Sequence, residues 1–336
     1  MNHKSNLSRR HFVRTLAGMA GMAAAPLALG SAHAQAWPSK PIVLVTPAPP
    51  GGAVDVMARV LGEQLAKTLG QTVIVENKPG ASGMLAVQTV VRAPADGYTL
   101  LFTHTTPISY TPHMFSKMAY DVPRDLRFIT HVCDADLVLA VNKDVPVHDM
   151  KEFLAWAGAN RGKLSYGSYG TGSGGHLMTA YLSESRNLDM THVPYKGETP
   201  MVQDLIGGQI ALAFGTIGTL APQINSGRIR AIAVTGPKRF PDLPEVHTMA
   251  EAGLPDPEFR VIGGILLMAA AATPAPVLAR LEAEARAAVQ STPMKARMQI
   301  YGLRGVGGSA AEARQAYDDS APLIAKLVKV SGVKME

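Results

Sequence analysis

Between Lys40 and Arg59 the chain reads KPIVLVTPAPPGGAVDVMAR, and its apolar pattern changes character twice. The run Ile42-Val43-Leu44-Val45-Thr46 is β-branched and lacks polar alternation, the signature of a strand buried on both faces. Three prolines and then Gly51-Gly52 end it, and an amphipathic helical period follows. The same order recurs. Thr72 to Glu76 is a strand, Asn77-Lys78-Pro79-Gly80-Ala81-Ser82-Gly83 a turn, and an apolar helix runs to Arg92. Tyr98 to Phe102 is a strand, and Thr103-His104-Thr105-Thr106-Pro107 a polar loop. Strands alternating with helices predict an α/β fold with a mostly parallel sheet, whose ligands sit beyond the carboxyl ends of the strands.

Strands at Leu126 to Val132 and Leu137 to Asn142 flank the polar Asp134, and a second α/β unit opens with a helix over Asp149 to Asn160. Lys163 to Tyr166 runs into the densest glycine loop of the chain, Gly167 to His176, followed by a helix through Arg186. Further strands are predicted at Met190 to Val193, Ile210 to Phe214, Arg230 to Thr235 and Val261 to Ala269. Helices at Val277 to Gln290, Pro293 to Tyr301 and Ala310 to Val330 complete the chain and are expected to buttress the first lobe. The expected organisation is therefore discontinuous: lobe 1 over 35–138 and 262–336, lobe 2 over 139–261.

Composition changes the picture at one end. Ser8-Arg9-Arg10-His11-Phe12 precedes an Ala/Gly/Leu-rich segment and Ala32-His33-Ala34, which reads as a twin-arginine signal peptide over 1–34, cleaved after Ala34. Setting aside its Lys4, Arg9, Arg10 and Arg14 reduces 32 basic residues to 28 against 26 acidic, a net charge of +2. No basic cluster interleaved with aromatics remains, so nucleic acid is not the expected partner. The single cysteine, Cys133, cannot form an internal disulfide. Later apolar runs are too short to span a bilayer. A periplasmic protein follows.

The chemistry is that of binding. After the first strand, Gly51-Gly52 and the first-turn amides of the helix present partial positive charge to an anion without a basic side chain. Asp55 in that turn is most simply a residue satisfying those same amides. Gly170, Gly172 and Gly175 match G-x-G-x-x-G, but Asp189 precedes the next strand rather than closing it, unlike a dinucleotide site. His176 stands where a P-loop requires lysine, and neither Ser168 nor Ser173 lies in G-x-S-x-G. What remains is an anion-binding turn of amides and hydroxyls from Ser168, Thr171 and Ser173. The histidines form no H-E-x-x-H and no Cys/His cluster. Lacking a nucleophile, a metal site and a cofactor motif, the chain reads as a binding protein without cofactor rather than an enzyme. An exported dinucleotide-dependent oxidoreductase using Gly170 to Gly175 is the competing class.

Several motifs taken together resemble a family. Trp37-Pro38, Pro49-Pro50-Gly51-Gly52, Asp55, Ala58-Arg59, Val75-Glu76-Asn77-Lys78-Pro79-Gly80-Ala81, Asp96-Gly97-Tyr98-Thr99-Leu100, Tyr166-Gly167-Ser168, His176-Leu177 and Val193-Pro194-Tyr195-Lys196-Gly197 are similar to the Bug family. These are the periplasmic solute-binding receptors of the tripartite tricarboxylate transporter class. Asp204-Leu205, Gly207-Gly208-Gln209 and Ala231 to Thr235 extend the likeness over essentially all of the chain after the signal peptide. The resemblance implies a type II periplasmic-binding-protein-like fold, two lobes hinged about a cleft. It implies a monomer that closes on a small organic carboxylate and delivers it to membrane permease subunits, or reports it to a signalling partner. Carried onto this chain, the ligand site comprises Pro50, Gly51, Gly52, Asp55, Ser82, Thr103, His104 and Thr105. From the second lobe come Ser168, Thr171, Gly172, Ser173, His176, Lys196, Gly197, Glu198, Gly215 and Thr216.

Three departures bear on specificity. Ala211 and Gly215 stand where members often carry acids, and Gly215 is expected to open space for a bulkier ligand. Val261-Ile262-Gly263-Gly264 lacks a tryptophan often found there. Glu198 adds an acid beside Lys196, to neutralise it or to receive a ligand ammonium.

Overall fold

Strands with apolar residues at every position need a core on both sides, and the protein provides two sheets so sandwiched. The structure, a computed structural model, describes residues 37–261 and 263–335; the expected signal peptide over 1–34 lies outside the described residues. In chain order the first lobe's elements are β1 (Ile42–Thr46), α1 (Ala53–Leu69), β2 (Val73–Asn77), α2 (Met84–Arg92), β3 (Thr99–His104), α3 (Thr111–Met114), α4 (Val122–Asp125) and β4 (Leu126–Ala135). The chain then builds β5 (Leu137–Asn142), α5 (Met150–Ala159), β6 (Ser165–Ser168), α6 (Gly174–Ser185), β7 (Thr191–Pro194), α7 (Glu198–Ile206), β8 (Leu212–Thr216), α8 (Ile217–Asn225) and β9 (Ile229–Val234). It ends with β10 (Gly263–Ala270), α9 (Ala275–Val289), α10 (Thr292–Ile300), β11 (Arg304–Gly305) and α11 (Ala310–Ser331).

The first sheet has the order β11-β4-β10-β3-β1-β2 and the second β7-β6-β8-β5-β9. Alternation sorts each strand's side chains between two cores. On β10, Ile265, Leu267 and Ala269 join Ile42 and Leu44 of β1 under α1 and α9, while Leu266 and Met268 join Val45 on the α2 face. On β5, Leu137, Leu139 and Val141 face Phe153 and Phe214, while Val138 and Ala140 face Leu205 and Leu220.

Each sheet is parallel except for the strand that enters it from the other lobe and, in the first, the two-residue edge strand β11. β10 pairs antiparallel with β3 and β4, and β5 antiparallel with β8 and β9. The chain leaves β4 at its carboxyl end, so β5 must start at the lobe boundary and run away from it; β10 repeats this on the return. Carboxyl ends of parallel strands and starts of reversed strands therefore meet along one seam.

The break between β4 and β5 falls at Asp136 rather than Asp134, because Asp134 and Ala135 still pair with Gly264 and Gly263. Asp136 is 1% exposed and ion-paired with Arg304 of β11. Helices α9 and α10 cover the first sheet, as expected, through Leu281, Ala285, Met294 and Met298. Helix α11, started by a Ser309–Glu312 capping box, serves both lobes. Its Ala313 packs with Leu266 and Met268 of the first sheet, whereas Ile324, Leu327 and Val328 lie in the core of Phe153 and Phe214. Lys326 pairs with Glu258 at 2.5 Å and fastens the far end.

Candidate functional site

The seam opens into a cavity of about 920 Å³ walled by both lobes. Ala135, Leu137, Val261, Gly263 and Gly264, the residues flanking the two chain crossings, line it. A ligand there touches the segments about which the lobes would turn. A smaller, mainly apolar cavity of about 240 Å³ lies between β4 and α11 and shares Thr105, Tyr110 and Val261 with the first.

The lobe 1 wall begins at the amino end of α1. Gly51, Gly52, Ala53 and Val54 line the cavity. Asp55, 1% exposed, faces inward instead: its carboxylate accepts from the Gly51 amide at 2.9 Å, from Asn77 at 2.8 Å and from Arg59 at 2.9 and 3.0 Å. Burial opposes its ionisation, but Arg59, Asn77 and the Gly51 amide together hold the carboxyl below the usual range. With the Gly52 amide turned to Pro49 O, the first-turn amides without a partner among the described residues are those of Ala53, Val54 and Asp55, of which Ala53 and Val54 belong to the cavity lining. The free amides expected at the diglycine thus lie one step further along the helix.

Beside it, Ala81 and Ser82 both lie in the left-handed region, at φ 46° and 51°, between Gly80 and Gly83 at φ 116° and 88°. Such strain in non-glycine residues is held only by its surroundings and concentrates at binding sites. Ser82 is exposed on the cavity wall. His104 and Thr105 complete this side. His104 Nδ1 accepts from the Thr106 amide at 3.3 Å, which assigns the ring proton to Nε2, and burial lowers its pKa to about 4, so the ring is neutral. Thr111 was not singled out by sequence; it is 0% exposed, lines the cavity, and its hydroxyl has no partner among the described residues.

The lobe 2 wall is the glycine loop, Glu198 and the start of α8. Thr171, Gly172, Ser173, Glu198 and Thr216 line the cavity. Most loop amides are used internally. Gly170 N–H donates to Ser168 Oγ at 3.3 Å, Gly172 N–H to His176 Nδ1 at 3.1 Å, and Gly175 N–H to Tyr169 Oη at 3.2 Å. Ser173 caps α6, accepting from the His176 amide. Thr171 and Gly174 keep amides without partners among the described residues, short of the run that a pyrophosphate cradle presents. Glu198 reaches to the amino end of α8, accepting from the Thr216 amide at 2.7 Å, the Thr216 hydroxyl at 2.6 Å and the Thr219 hydroxyl.

The remaining expected residues stand off the cavity wall. Pro50 and Lys196 are exposed, and Gly197 precedes α7 at φ 107°. Thr103 is buried within β3, its hydroxyl on His104 O. Ser168 bonds His192 at 2.7 Å, and the His192 ring stacks on His176, centroids 3.7 Å apart; these side chains support the loop from behind. The space expected at Gly215 is filled: a Cβ there would lie 2.7 Å from Leu220, in the core. Tyr301 and Gly302, which bring the end of α10 to the rim against Gly218, were not anticipated, because that contact joins positions far apart in sequence.

Residues 57–332 match the model of the tripartite tricarboxylate transporter family receptor. The chain belongs to that family. This receptor is 35% identical over 306 residues to the UPF0065 protein in the tcbD-tcbE intergenic region of Pseudomonas sp. strain P51, covering 91% of this chain and 89% of that protein. Among solved structures it is similar to the periplasmic binding protein BugD, with 33% identity, a TM-score of 0.72 and coverage of 89% and 100%. It is also similar to R. palustris Rpa4515 with adipate, with 29% identity, a TM-score of 0.76 and coverage of 89% and 99%. The Bug resemblance and the two-lobed fold are borne out, and family members are solute-binding proteins.

Proposed function

We propose that this receptor is a periplasmic protein that closes on a small organic carboxylate and presents it to the membrane permease subunits of a tripartite tricarboxylate-type transporter. The observation that carries the reading is the cavity at the seam: Ala53 and Val54, whose amides are unpartnered at the amino end of a 17-residue helix, line it, and no Lys or Arg is among its described lining residues. Amide groups and a helix dipole suit a carboxylate that must be released again. The adipate held by Rpa4515 supports the same chemistry.

Hinged lobes divided near Asp136 and residue 262, a monomeric state, the absence of catalysis, and twin-arginine export with cleavage after Ala34 belong to this proposal. Ligand touching both walls only when they approach shifts the protein towards closure. The test is a thermal-shift screen of refolded, ligand-stripped protein against carboxylates and nicotinamide cofactors. A concentration-dependent rise with carboxylates is expected; a rise with nicotinamide cofactors alone would overturn the reading.

A further inference from the structure

The cleft carries one charged side chain among its described lining residues, and it is an acid. We infer that Glu198 makes this receptor select a carboxylate that also bears a protonated amine, with the ammonium towards Glu198 and the carboxylate towards the lobe 1 amides. The inference rests on the carboxylate-receptor reading and narrows it.

Glu198 is the first residue of α7, yet its carboxylate is bound at the amino end of α8 by the Thr216 amide and by the hydroxyls of Thr216 and Thr219. Those three donors are what a second ligand carboxylate would otherwise meet on that part of the wall. They are already occupied by the protein's own anion, which the helix dipole stabilises and the hydroxyls hold in place. A dicarboxylate would bring like charge against it, with no cationic side chain among the described lining residues to compensate.

A carboxylate has room for about four hydrogen bonds. Three are made within the protein, all from donors on α8 or its cap, so the cavity side of Glu198 keeps acceptor capacity. An ammonium or another cationic donor uses that capacity and neutralises the charge. On the opposite wall the Ala53 and Val54 amides and neutral His104 supply donors and no negative charge, since Asp55 is turned away and paired with Arg59. The cleft is therefore polarised in charge: lobe 1 offers donors and no charged side chain among the described lining residues, and lobe 2, beside its Thr171 and Gly174 amides, offers an acid.

Length-matched pairs test this. Binding constants are measured by titration calorimetry for adipate against 6-aminohexanoate and succinate against 4-aminobutanoate. The wild-type protein should bind the amino acid of a pair at least about tenfold tighter. Glu198→Gln, of the same shape, should lower that preference by about tenfold or more, mainly by gaining dicarboxylate affinity, and Glu198→Asp should keep its sign. A wild-type preference for dicarboxylates, or a ratio unchanged in Glu198→Gln, overturns the inference and leaves the receptor reading intact. Binding of none of the four by the wild-type protein counts against both.

Discussion

An acid in the first turn of a helix can serve the helix or a ligand, and Asp55 serves the helix. Asp55→Ala would leave the Gly51 N–H without its acceptor, cost the Asn77 amide one of its two acceptors and remove the carboxylate partner of half-exposed Arg59. Urea unfolding should show a loss of about 2 kcal/mol or more. Lys196 is exposed and off the cavity wall. Lys196→Met should change carboxylate affinity by less than about 0.5 kcal/mol, and a larger loss would bring that side chain into the site. His176 titrates with the opposite consequence to a paired histidine. Burial, with His192 beside it, lowers its pKa to about 4, against about 6.5 for the unfolded chain. The unfolded state therefore takes up the proton first, and stability falls as pH drops from about 6.5 towards 4, by up to about 3 kcal/mol. Urea midpoints between pH 7 and 5 should decline more steeply for the wild-type protein than for His176→Gln; equal slopes would contradict the neutral ring seen against Gly172.

Among the elements, the glycine loop and the α10 end carry the most exacting contacts. Gly172 lies at φ 77°, and a Cβ there would sit 2.7 Å from Met114 Sδ. Gly172→Val should abolish carboxylate binding in calorimetry while circular dichroism still shows a folded protein. Gly218 has ordinary φ, but a Cβ would fall 2.3 Å from Tyr301 O, backbone that cannot give way cheaply. Gly218→Ala should push the end of α10 off the start of α8 and weaken ligand affinity about tenfold or more; unchanged affinity would mean that this contact plays no part in the bound state. The strands and helices here were legible because β-branched runs and glycine turns act locally, as in Ile42–Thr46 before Gly51-Gly52. The free amides were less so. That Gly51 N–H is taken and Ala53 N–H is not depends on where the Asp55 side chain turns, and the Glu198 partners lie 18 and 21 residues away on another helix. The helical stretch of α11 was likewise legible, but it was expected against the first lobe, whereas its far end lies in the core of the second.

For the whole molecule, the arrangement is two sandwiched sheets joined at their strand ends, with the cavity at the joint. Closure on a carboxylate should reduce the radius of gyration measured by small-angle X-ray scattering at saturating ligand, and Gly218→Ala should reduce the change. Helix α11 adds a different kind of constraint, one of timing. Ile324, Leu327, Val328 and Val333 complete the core that holds Phe153, Leu177 and Phe214. The second lobe therefore cannot complete the core around its largest side chains until residues 324–333 have left the ribosome. Such long-range pairing slows folding and leaves apolar surface exposed in the meantime. A nascent chain stalled before residue 324 should stay open to proteases across residues 137–234 even though every strand of that sheet has already been made.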